Sequence, residues 1–121
     1  MKIHELLLVG LLIGLTLINP AYATQSVSLE ALDGTATYGT VTVTTSATAI
    51  PTTALNGRKN IIVINTSTGT IYLGSDSSVT TANGFQLKQD TSVSLDWGEN
   101  ITLYGIIGSG TADVRYIESR G

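Results

Sequence analysis

The sequence predicts an all-β domain, a small antiparallel β-sandwich or partly open barrel, preceded by an N-terminal hydrophobic helix. Three observations predict it. Short apolar runs of strand length recur through the body of the chain, separated by Gly-, Pro-, Asn- and Asp-bearing turns. No stretch beyond the leader carries a helical period. Charged residues make up 12% of the chain, about half the usual share, while Thr, Ser and Gly are abundant, which suits strands whose outer faces are covered by hydroxyls. At 121 residues there is room for one domain.

Residues 1–23 form a signal-peptide-like leader or an anchor. Leu6 to Ile18 is an unbroken apolar segment with Lys2 before it and Asn19, Pro20, Ala21, Tyr22 and Ala23 after it. Its length falls within the roughly 7 to 15 residues of a signal h-region and short of the approximately 20 that cross a bilayer. Ala21 and Ala23 take the small-residue positions of a cleavage site, so cleavage after Ala23 is the first expectation. Glu5 abuts the apolar run, which is unusual for a signal and opens a second expectation, a retained helix making membrane contact through Leu6 to Ile18. A prepilin reading of Glu5 lacks the processing site and the long amphipathic continuation.

Residues 24–39 read as an arm or edge strand, with Val27 and Leu29 alternating, and residues 40–121 as the sandwich. Val41 and Val43 alternate with Thr40, Thr42 and Thr44, a half-buried strand that Ile50-Pro51 ends. Ile61, Ile62, Val63 and Ile64 form a β-branched run expected to be covered on both faces, so that Ile62 or Ile64→Asp would unfold the domain. Asn65 to Gly69 turns the chain and Thr70 to Leu73 returns. A polar loop from Gly74 closes on Asn83-Gly84. Strands follow over Phe85 to Lys88, Thr91 to Leu95 and Ile101 to Ile107. The last alternates Ala112, Val114 and Tyr116 against Asp113, Arg115 and Ile117.

The chemistry available to this body is narrow. There is no cysteine, and the single histidine, His4, lies in the leader. Thiolate and imidazole nucleophile schemes, zinc sites and cysteine redox chemistry are therefore excluded for the body. Asp76, Asp90, Asp96, Glu99 and Asp113 sit on separate turns, with no spacing that pairs two of them across a cleft for glycoside hydrolysis. Asp76-Ser77-Ser78 offers oxygen ligands but lacks the order of a calcium loop. No enzyme activity, cofactor or metal is expected, and no ligand-binding residue is assigned. Arg58 and Lys59 are the only adjacent basic pair and read as a solvated turn. With a net charge of −3, no nucleic-acid partner is expected.

Trp97 stands at a turn, where it either caps the core or presents an exposed ring to a sugar. Tyr72, Tyr104 and Tyr116 fall within strands, spaced as rim side chains rather than as a platform. Asn65-Thr66-Ser67 and Asn100-Ile101-Thr102 match the glycosylation sequon, which has meaning only on a eukaryotic secretory route.

From Ala47 to Gly74 the chain reads ATAIPTTALNGRKNIIVINTSTGTIYLG. The order is Pro51, a spacer, Gly57-Arg58-Lys59, the apolar strand Ile61 to Ile64, Asn65, a turn, and Ile71-Tyr72-Leu73-Gly74. This unit resembles small β-sandwich proteins and domains of bacteriophage virions. The likeness continues more loosely through Gly84, Leu87, Leu95, Tyr104 and Val114 to Glu118. The resemblance implies a non-enzymatic role in capsid or tail architecture, as a decoration, spike or capsid-associated protein in the virion. Its partners would be other virion proteins and copies of itself. An apolar N-terminal segment is not part of that pattern, and a phage with an internal membrane would accommodate it. The alternative, from the leader and Trp97, is a secreted or periplasmic carbohydrate-binding module.

Overall fold

The described residues, 34–120 in the computed structural model, form eight strands, most of them where the apolar alternation predicts extended chain. They are β1 (Ala36–Val43), β2 (Thr48–Ala49), β3 (Asn60–Asn65), β4 (Ile71–Gly74), β5 (Phe85–Leu87), β6 (Ser92–Leu95), β7 (Tyr104–Ile107) and β8 (Ala112–Ser119). One four-stranded sheet runs β1-β8-β3-β6 and the other β2-β7-β4-β5, with every pairing antiparallel. Only β4 and β5 are consecutive within one sheet; every other connection crosses to the opposite layer. The described residues are all-β and include no helix. Among them no helix is long and apolar enough to cross a membrane. The leader at 1–23, its expected helix and the first part of the 24–39 arm lie outside the described residues.

The core lies between the layers and is made by alternation. Val43, Ile61, Val63, Ala112 and Val114 from the first sheet meet Ile71, Leu73, Leu87 and Ile107 from the second, joined by Ile50 and Leu103 from the connections. Val41, Val93, Leu95, Trp97 and Tyr116 pack around this cluster, each half-buried. Gly105 on β7 leaves room at its centre. A Cβ there would stand 2.8 Å from Ile50 Cδ1 and 3.3 Å from both Ile71 Cγ2 and Val43 Cγ2.

Four sequence expectations change, one being the start of β7, which falls at Tyr104 rather than Ile101. The run Ile61 to Ile64 is not covered on both faces: Ile61 and Val63 are fully buried, whereas Ile62 is 40% exposed. β3 is interior within its sheet, between β8 and β6, but a two-layer body leaves the outer face of each sheet to solvent, so period-2 alternation decides burial. The strand expected from Thr40 begins at Ala36, so residues 36–39 belong to β1, which lies at a sheet edge. Before Pro51, Thr48 and Ala49 pair with Gly105 and Tyr104 as the short strand β2.

Asn65 closes β3 for a physical reason. It is fully buried, and a buried amide needs partners. Its Nδ2 donates to the carbonyls of Gly69 at 2.7 Å and Leu87 at 2.9 Å, and its Oδ1 accepts from the Ser67 amide at 2.9 Å. One side chain thus shapes the β3–β4 turn and ties it to β5.

Candidate functional site

Among the described residues one ion pair is buried, and it forms at Arg58, where the sequence predicts a solvated turn. Arg58 is 2% exposed, and its Nη1 donates to Glu118 Oε2 at 2.8 Å. Gly57 adopts φ 75°, a left-handed conformation glycine takes without strain, and Arg58 follows it into the interior. The other donors are also met. Nε reaches the Trp97 carbonyl at 3.0 Å, and Nη2 reaches the carbonyls of Gly98, at 2.9 Å, and Ile101. Glu118 in turn accepts from the Leu55 amide and from Thr37 Oγ1. A guanidinium so enclosed by protein acceptors organises loops. It fastens the 97–101 loop and the 55–58 turn to the last strand and offers nothing to a ligand. Lys59, its neighbour, is exposed as the sequence predicts.

Trp97 is half-buried and lines an apolar cleft of about 150 Å³ with Leu73, Phe85, Val93, Leu95 and Leu103. The cleft lies at the side of the body where β5 and β6 are the terminal strands of their sheets. Phe85, 63% exposed, lies at its mouth. The lining includes no tyrosine and no hydrogen-bonding side chain apart from the indole N–H. Tyr72 and Tyr104 face outward on the second sheet. Tyr116 faces inward on the first, where Gly39 makes room for it: a Cβ at Gly39 would fall 2.6 Å from the Tyr116 hydroxyl. Phe85 is thus the one aromatic residue that joins Trp97 in the cleft lining, and Tyr72, Tyr104 and Tyr116 do not.

The carboxylates are likewise separate. Asp76, Asp90, Asp96, Glu99 and Asp113 are all exposed. Among the described residues no three His, Cys, Asp or Glu side chains gather as metal ligands. Asp76 is held below the ordinary aspartate pKa because the Ser78 hydroxyl and amide both donate to its Oδ1. Asp96 Oδ1 accepts from Asn60 Nδ2 at 2.9 Å. These contacts shape turns.

What the outer face of the first sheet does present is an apolar row. The registers place Tyr38 beside Ile117, Ile117 beside Ile62, and Ile62 beside Ser94. Tyr38 is 84% exposed and Ile117 45%, so with Ile62 three large side chains stand in line across three adjacent strands. The neighbouring positions on that face are Ala36, Thr40, Thr42, Asn60, Ser92, Asp113, Arg115 and Ser119, with Ile64 half-buried beside Ile62 between Arg115 and Ser92. The sequence pattern sets only Ile117 at an outward position, since the run Ile61 to Ile64 carries no alternation to mark Ile62 as outward. No protein-family model matches the chain, and no curated protein matches it in sequence.

Proposed function

We propose that this protein is a non-enzymatic structural component of a bacteriophage virion, a capsid-associated, spike or decoration protein that works through protein–protein interfaces. The observation that carries the reading is the row of exposed Tyr38, Ile117 and Ile62 on the outer sheet face, with Ile64 half-buried beside it. Large apolar side chains in line on a solvent face mark contact surfaces. The likeness of the Ala47–Gly74 unit to virion β-sandwich domains supports the same reading. Mechanistically, each copy contributes a modest contact, and repetition on a symmetric particle multiplies it. The leader routes the chain or anchors it.

The cleft beside Trp97 does not favour a carbohydrate-binding module. A sugar site stacks the ring on an open aromatic face and binds its hydroxyls to flanking polar groups, whereas this cleft offers no hydrogen-bonding side chain beyond the indole N–H. Disrupting the gene in the phage tests the proposal. Particles that are fewer, less stable or altered in composition support it, and unchanged yield, stability and composition overturn it.

A further inference from the structure

The four terminal strands of the two sheets differ in one respect. β2 has two residues, β5 three and β6 four, whereas β1 has eight. Exposed edges are usually blunted by shortness, charge, proline or a bulge. β1 reads ATYGTVTV, with no charged residue and no proline, and it pairs with β8 along its whole length without a bulge. Among the described residues no strand covers its other side.

The hydrogen-bond phase fixes what that side offers. The Arg120 amide donates to the Thr35 carbonyl at 3.0 Å, and antiparallel bonding alternates along the strand. Thr35, Thr37, Gly39, Val41 and Val43 thus bond toward β8. Ala36, Tyr38, Thr40 and Thr42 turn their amides and carbonyls away from it, and their side chains lie on the outer face with the apolar row.

We propose that this edge pairs antiparallel with the same edge of a second copy about a two-fold axis at Tyr38, joining two four-stranded sheets into one of eight. The inference rests on the interface reading above and names its surface. An antiparallel two-fold sets residues of the same face opposite each other, so Tyr38 meets Tyr38 and Ala36 meets Thr40 of the second copy. The row Ile62, Ile117, Tyr38 then continues without interruption as Tyr38, Ile117, Ile62. An axis at Thr40 would instead set Tyr38 against Thr42, whose neighbour on β8 is Asp113, and would end the apolar row on a carboxylate. Charge does not oppose the Tyr38 axis. The nearest cations on this face, the two copies of Arg115, would lie roughly 20 Å apart by strand and residue spacing, beyond the screening length of about 8 Å at physiological salt. One strand edge is a small contact beside the roughly 800 Å² per partner of a standard interface, so the pairing is expected where copies are concentrated, as on a particle.

Engineered cysteines test it in the purified full-length chain, which has none of its own. Opposed residues of a hydrogen-bonded pair stand about 5.5 Å apart at Cα, within disulfide range of about 4.4 to 6.8 Å. Under mild oxidation Tyr38→Cys should become mostly disulfide-linked dimer, whereas Thr40→Cys and the loop control Ser109→Cys should stay monomeric. Tyr38→Lys, measured by sedimentation at high concentration, should lose self-association while melting as the parent does. Equal cross-linking at positions 38 and 109, cross-linking at 40 in place of 38, or none at 38 overturns the pairing. Because the readout needs no particle, presence in virions without the position-38 link refutes the pairing alone. A clear link in a protein absent from virions refutes the virion reading alone.

Discussion

Arg58 and Glu118, 60 residues apart in the chain, meet inside the protein as an ion pair at 2.8 Å. Each is enclosed by further hydrogen bonds, so neither charge is left uncompensated. Burying two charges is costly, and removing one partner exposes that cost in full.

Glu118→Ala should therefore destabilise the protein by about 3–5 kcal/mol, because the Arg58 guanidinium stays buried without its carboxylate. Chemical denaturation measures it. The double variant Arg58→Met/Glu118→Leu should recover part of the loss, since it removes both charges and keeps the volume. A Glu118→Ala cost under about 1 kcal/mol, the size of an exposed pair, would contradict the buried geometry.

Aspartate substitutions along β3 should alternate in effect. Val63→Asp places a carboxylate in the core and should unfold the domain, whereas Ile62→Asp should cost no more than about 1 kcal/mol, because position 62 faces solvent. Thermal melts of the two variants decide it. Equal destabilisation would mean that the outer face of the first sheet is covered.

Gly105→Val should destabilise by roughly 1–3 kcal/mol through overpacking, since even a Cβ approaches Ile50 Cδ1 to 2.8 Å. Gly98→Ala is the comparison. The nearest atom to its added Cβ is the Arg58 carbonyl oxygen at 3.6 Å, an ordinary contact. Melting temperatures in the reverse order would overturn the packing account.

The Asp76 carboxyl should titrate below the ordinary aspartate range, because the Ser78 hydroxyl and amide favour its charged form. Its folded pKa is depressed, so the Asp76–Ser78 contact is intact at neutral pH and is lost as pH falls through that lowered value. Ser78→Ala should move the midpoint upward, followed by NMR of the Asp76 side chain. An unchanged midpoint would show that the hydroxyl contributes nothing.

Legibility in the sequence followed the range of the interactions. β8 is plain because Ala112, Val114 and Tyr116 alternate with Asp113, Arg115 and Ile117, two of them charged, and the Asn65 turn is plain because its bonds to Gly69 and Ser67 are local. Arg58 was misread because its burial depends on Glu118 and on the 97–101 carbonyls, which no local pattern connects to it. The run Ile61 to Ile64 misled because four apolar residues carry no alternation, although only every second one enters the core. The start of β7 differs from the expected Ile101 for a related reason. The Ile101 carbonyl is taken by Arg58, and the strand begins at Tyr104. For the outward row, Ile62 and Ile117 were visible as residues, but their adjacency requires the β3–β8 register.

Intact-mass analysis of polypeptides from purified phage particles tests the structural role most directly. The account predicts that this chain is recovered in many copies per particle, with a mass that begins at Thr24 if the leader is an export signal or at Met1 if it is an anchor. Particles that are complete and infectious yet contain none of this polypeptide would contradict it.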